Sequence, residues 1–362
     1  MCYSVGNDEG SVSVEVRPAS LFDIPALSRL QSQGIPLDPQ RTLTRSESPL
    51  WAALRAPLTL QEPSAYTYLA RLDEAAGGRN GFVQACGRRA DAAEAEITYI
   101  APALDANALT GYLWARMLEG ACWEMAALGI QRVFASLPAD SGEAEPFLNA
   151  GFVIFAREEL LRGGARRGCG GAPALPLRPQ RPQDAWALQR LCAATAPIGV
   201  RQAEGLLSPE GPTAETPAWG ERERRMMYVA EVGGSVVGRV QVVRGKAGQW
   251  IHFTLHPERA ELAEALVEAG LRLCESARPT PLYSHVRTYE SALRPALLAQ
   301  GFEAFGRRDL VVRQAVARIK EPALVGVRAL EPQAGMSATP SAARVRCQGD
   351  RNEAPARSRP AA

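Results

Sequence analysis

The chain is poor in several things, and each shortage narrows what it can be. It has 362 residues and no run of about 18 apolar ones, so no helical membrane span is expected. Its opening, MCYSVGNDEG, has neither a basic start nor an apolar core, so no secretion signal is expected. The seven cysteines are scattered without a close pair, which suits neither a zinc site nor a disulfide framework; a cytoplasmic, reducing setting and no metal are expected. Charge of one sign is lacking too. Lys+Arg number 41 against 39 Asp+Glu, so nothing drives the chain as a whole toward nucleic acid or an anionic membrane. Lysine is nearly absent, with only Lys246 and Lys320.

What is there reads as a soluble α/β protein with more length than one core needs. Arg162 to Pro173 (RGGARRGCGGAP) is glycine-rich and basic, and it divides the chain as a linker. Beyond Lys320 the sequence loses its periodicity and is expected to be a disordered tail, 320–362. Glu331, Asp350 and Glu353 interrupt its arginines, which argues against a nucleic-acid-binding tail.

The two sides of the linker repeat each other. Arg17-Pro18, Asp23, Ala26-Leu27 and Arg29-Leu30 return, at constant spacing, as Arg178-Pro179, Asp184, Ala187-Leu188 and Arg190-Leu191. Each side then predicts a three-stranded meander. The runs are AYTYLARLDE, GFVQACG and EITYIAP in the first, and MMYVAEV, SVVGRVQVV and QWIHFTLHP in the second. A long helix follows each closing proline, with stripes at Leu109, Leu113 and Met117 and at Leu262, Leu266 and Ala269. A further strand comes next, then a short helix, a Gly-Phe (Gly151-Phe152, Gly301-Phe302) and a last strand.

This order, occurring twice, resembles the GCN5-related N-acetyltransferases over residues 12–162 and 173–316. The resemblance implies two mixed-sheet α/β domains in tandem, packed as an intramolecular pseudo-dimer. It implies acetyl-CoA as co-substrate, lying where the fourth and fifth strands splay, with its pantetheine along the fourth strand's edge. It implies acyl transfer to the amine of a small molecule or peptide. On the first half, Ile100, Ala101, Asn107, Ala108, Leu109 and Thr110 fall at the cofactor positions.

The motifs depart from the family's. Asp105, Ala108 and Thr110 stand where an Arg and two Gly would wrap the diphosphate; in the second half Glu261 and Ala263 stand at the glycine positions, in a shorter loop. Phe147 and Leu297 replace the tyrosine that would protonate the leaving thiolate. Candidate acid–base groups are therefore sought beside the splays: Glu96 in the first half, and His252, His285 and Tyr289 in the second. His256 alternates with His252 and Thr254 on the same strand, and Tyr283 flanks the fifth. A protein that has lost the chemistry and binds a ligand or partner, or acts as a scaffold, is the alternative.

Overall fold

A computed structural model describes residues 13–45, 65–72, 79–88, 93–105, 108–164, 175–205, 224–274 and 280–314. The tail at 320–362, Asn107 and most of the glycine-rich linker lie outside the described residues.

The first half runs β1 (Val14–Pro18), α1 (Ile24–Leu30), β2 (Ile35–Pro36), α2 (Pro39–Thr44), β3 (Ala65–Leu72), β4 (Asn80–Gly87) and β5 (Glu94–Ala101). It continues with α3 (Ala108–Ala127), β6 (Arg132–Pro138), α4 (Ala144–Asn149) and β7 (Val153–Gly163). The second half repeats this as β8 (Leu177–Pro179), α5 (Ala185–Thr195), α6 (Ile198–Ala203), β9 (Arg224–Val232), β10 (Ser235–Arg244) and β11 (Gln249–Leu255). It ends with α7 (Ala263–Leu273), β12 (Leu282–Arg287), α8 (Leu293–Ala299) and β13 (Glu303–Gln314). Arg162 and Gly163, expected in the linker, are the last residues of β7 and pair with β12. Alternation carries that strand on, because Leu161 and Gly163 are both buried.

The repeated arginine and aspartate do the same thing twice. Arg17 makes a two-pronged contact with Asp23 at 2.8 and 2.6 Å, and the Ser20 amide donates to the same carboxylate at 2.7 Å. Arg178 holds Asp184 at 2.7 and 2.8 Å, and the Arg181 amide donates at 2.7 Å. Each clamp ties a short strand to the start of the following helix. Fork-to-carboxylate bonds are geometrically demanding, which explains why the spacing is kept.

The strands form one sheet in the order β1-β3-β4-β5-β6-β13-β7-β12-β11-β10-β9-β8, with β2 on β5. The last strands are exchanged. β7 of the first half pairs with β12 of the second, β13 of the second pairs with β6 of the first, and β7 and β13 pair with each other. Phe302 stacks on Gly163, where an added Cβ would come within 2.7 Å of its ring. Both halves fall within one compact unit, Met1–Arg318.

One face of the sheet carries the apolar cores, under α3 and α7. Trp114, Met117 and Phe147 belong to the first core, and Phe253, Leu266 and Leu297 to the second. Cys122 and Cys274 sit there as well, their thiols pushed up to about 12 by burial. The other face is covered by α1, α2, α5 and α6, and two of the covering segments cross between halves. Leu43, on α2, packs with Val243 and Trp250 of the second half, and the Ala247 amide bonds the Thr44 carbonyl at 3.1 Å. That approach needs glycine: a Cβ on Gly245 would lie 2.1 Å from the Thr44 oxygen. In return, Gly205, after α6, lies against the Arg132 guanidinium of the first half.

Candidate functional site

The polar residues of this sheet lie under the crossed segments. Across the central strands, the face away from the cores carries Cys86, Glu96, Glu158, Arg287, His252 and Arg239, where a covered sheet would ordinarily be apolar. They surround a cavity of about 310 Å³. Its walls come from both halves.

The splays open into it. β5 and β6 pair in parallel only from Glu94 to Glu96, and Thr98 and Ser136, beyond the last pair, both line the cavity. β11 and β12 pair only from Gln249 to Ile251, and His252, Thr254, His285 and Arg287 line it beyond. The four residues expected to do acid–base work, Glu96, His252, His285 and Tyr289, are thereby brought to one space. His256 is elsewhere: its Nδ1 accepts from the Glu258 amide and starts a 3-10 turn. Tyr283 packs against Phe305 at 6.0 Å.

Burial dominates the electrostatics. Glu96 is pushed above the usual carboxylate range by burial, against the pull of Arg88 at 3.6 Å. Burial raises Glu158 to about 7 despite Arg287 and Arg308. His285 is held well below its ordinary value, by burial first and then by His252 and Arg287, and so is neutral at neutral pH. Burial lifts the Tyr289 phenol to about 12, although Arg287 donates to it at 2.7 Å. Burial also works against Glu204, but the charge and 2.6 Å hydrogen bond of Arg287 override it and hold the carboxyl below its usual range. Glu94, on a strand end where a solvated side chain is usual, is instead buried against Arg132 at 2.7 Å.

Sequence reasoning passed over Glu158, Arg239, Arg287 and Glu290. Glu158 had a signal of its own: it falls in phase with buried Leu160, two residues on along the same strand.

The groove expected along β5 is filled by the chain itself. β2 pairs with the β5 edge left by the splay, Ile35 opposite Ile100 and Pro36 opposite Tyr99, and the Leu37 amide donates to the Thr98 carbonyl at 2.9 Å. Gly34 lies so close that a Cβ would come within 2.5 Å of the Ile100 carbonyl oxygen. Ile100, Ala101 and Thr110 are fully buried and Leu109 is half-buried; Ala108 is the first helical residue. At that helix end Asp105 accepts from Thr110 at 2.6 Å and from Arg79 at 2.9 Å, so a carboxylate occupies the place a diphosphate would take. An acyl-CoA does not fit this half.

In the second half, no strand among the described residues pairs with β11 on its splay edge beyond Ile251. At the end of β11 the Thr195 hydroxyl, from α5, donates to the Leu255 carbonyl at 3.4 Å. The diphosphate end of an acyl donor is opposed by Glu258, Glu261 and Glu264 around the start of α7, where Arg259 is already engaged with Glu261 at 3.5 Å. Buried Leu297 offers no proton at the family's tyrosine position, and neither does buried Phe147 in the first half.

No protein-family model matches the chain, and no curated protein does. Among solved structures it is similar to a GCN5-related N-acetyltransferase from Sphaerobacter thermophilus, at TM-score 0.47 and 15% identity, covering 84% of this chain and 97% of that one. It is similar to a putative acetyltransferase from Pyrococcus horikoshii, at 0.44 and 10%, covering 87% and 93%. A tandem acetyltransferase-family protein from the clavulanic acid biosynthesis pathway aligns at 0.42 and 16%, covering 84% and 99%. The strand order and splays of this chain give two similar mixed-sheet α/β units in tandem, joined through exchanged strands.

Proposed function

We propose that the chain is an N-acyltransferase acting on a small-molecule amine, with its acyl donor in the second-half splay and its acceptor in the shared cavity. One observation carries this: the β5 edge is filled by β2, while no strand among the described residues pairs with β11 beyond Ile251, where His252, His285 and Tyr289 line the cavity. The donor, acetyl-CoA in the simplest case, supplies an activated acyl carbon. The acceptor nitrogen bonds to that carbon as the C–S bond breaks. The acceptor attacks as the free amine, the neutral His285 taking the proton that its nitrogen must lose. The Tyr289 hydroxyl is the proton donor at hand for the departing thiolate. In this reading the first half is structural at its own groove and catalytic only through the wall that it lends.

A second reading, a ligand-binding protein without transfer, is favoured by the three glutamates around the start of α7. Calorimetric titration of acetyl-CoA separates the two. Binding lost in Thr254→Trp, which fills the second splay, and kept in Asp105→Trp supports transfer. Loss in Asp105→Trp alone contradicts the assignment to the second half. No binding up to millimolar donor gives the second reading.

A further inference from the structure

Two ionisable groups on the cavity wall lack the partner that their burial calls for. Glu158 is only 9% exposed, yet its carboxylate accepts no hydrogen bond from any described residue. The nearest donor is His285 Nε2 at 3.9 Å, beyond hydrogen-bond reach, and that imidazole is neutral. Arg287, directly opposite in the strand register, is spent on Glu204 and Tyr289. A buried carboxylate in this position calls for a cationic donor. Arg239 is the converse. Its Nη2 meets the sulfur of Met227 at 3.3 Å, its Nε is buried without a hydrogen bond, and no carboxylate of a described residue pairs with it. Trp250, 3% exposed, adds an indole N–H in the same wall with no acceptor. Six other charged groups here pair off: Asp38 with Arg41, Glu96 with Arg88, and Glu204 with Arg287.

We propose that the cavity holds one elongated zwitterion per chain, its ammonium at Glu158 and its carboxylate at Arg239, several bonds apart. The register sets the length. Arg239 stands opposite Thr254, Glu158 stands opposite Arg287, and the row crosses β10, β11, β12 and β7. Two paired inter-strand spacings and the wider gap of the splay between β11 and β12 separate the two backbones by more than about 14 Å, from which the two side chains reach inward. An α-amino acid, with its charges on adjacent carbons, is too short. An ω-amino acid or a basic amino acid offering its distal amine spans the gap. Such a ligand crosses the mouth of the second-half splay, with its amine beside His285. One ligand per chain follows, because Glu158 belongs to the first half and Arg239 to the second.

The inference rests on the reading of this cavity as the acceptor site, but its test needs no acyl donor. The full-length chain is titrated calorimetrically with 6-aminohexanoate, hexylamine, hexanoate and glycine. 6-Aminohexanoate is expected to bind one per chain and at least tenfold tighter than the other three. Glu158→Gln is expected to weaken it about tenfold, toward hexanoate. Arg239→Met is expected to remove its advantage over hexylamine. Urea denaturation of both variants reports whether they fold. Hexylamine binding as tightly as 6-aminohexanoate, two equivalents per chain, or indifference to both substitutions in folded protein would overturn the proposal. Binding of acetyl-CoA without binding of 6-aminohexanoate overturns it too, and leaves the acyltransferase reading standing.

Discussion

The imidazoles of His252 and His285 lie face to face, their centroids 4.3 Å apart and their planes 18° from parallel. A carboxylate stands at each end of the pair, Glu290 at 3.7 Å from His252 and Glu158 at 3.9 Å from His285. The arrangement joins residues of both halves, and two of its members, His285 and Glu158, have shifted titrations.

Its pH dependence has two parts of opposite sign. His285 has a folded value below its ordinary 6.5, so the unfolded chain takes up the proton more readily and stability falls as pH drops below about 6.5. Glu158 holds its proton up to about 7 when folded against an ordinary 4.5, so its contribution is complete below 4.5 and is lost as pH rises through 7. Glu158→Gln should therefore gain stability over the parent at pH 7.5, by up to about 3 kcal/mol, and gain far less at pH 5. Urea denaturation at the two pH values measures this. An equal gain at both would show that Glu158 does not titrate between them.

The two arginine–aspartate clamps should differ in worth. The Asp184 side chain is 5% exposed and the Asp23 side chain 13%, and their arginines are 29% and 46% exposed. Asp184→Ala is expected to cost about 2–3 kcal/mol and Asp23→Ala about 1 kcal/mol, since a better-buried charged hydrogen bond loses more when broken. Both carboxyls are held below the usual range, chiefly by the arginine hydrogen bonds. The contribution is thus present above the unfolded carboxyl's pKa near 3.8 and is lost as pH falls below it. Denaturation at pH 7 ranks the two variants.

Exchange of β7 and β13 makes a prediction about the halves. Residues 12–162 produced alone would leave β6 without its β13 partner and β7 without β12, two open sheet edges. This fragment should self-associate or precipitate, and co-expression with 173–316 should rescue it as a one-to-one complex. Size-exclusion chromatography with light scattering reads the outcome. A monomeric, folded 12–162 would contradict it.

The repeat was legible in the sequence because its markers are local. An Arg-Pro and an Asp at fixed spacing build a clamp within seven residues, and a Gly-Phe closes a helix; Gly151 and Gly301 indeed have φ of 84° and 80°. Strand exchange was not legible, since β6 offers the same alternating face to either last strand. The cavity was half legible: His252 and His285 stood out as rare residues on neighbouring strands. Glu158 and Arg239 did not, because what marks them is the absence of a partner, which only three-dimensional placement shows. The plug at Ile35–Pro36 escaped for a related reason. Two residues carry no periodicity, and only the close approach of Gly34 to β5 makes them a strand.

The central claim is that the acyl donor lies in the second-half splay, gripped by its thioester arm and not by its diphosphate. The most direct test incubates the full-length chain and 6-aminohexanoate with either acetyl-CoA or S-acetyl-pantetheine at millimolar concentration and measures N-acetylated product by mass spectrometry. The account predicts product from both donors within severalfold of each other, a fall of about 10²-fold in His285→Phe, and no change in Arg79→Ala. Strict dependence on acetyl-CoA together with loss in Arg79→Ala would place the donor at α3 in the first half and contradict it.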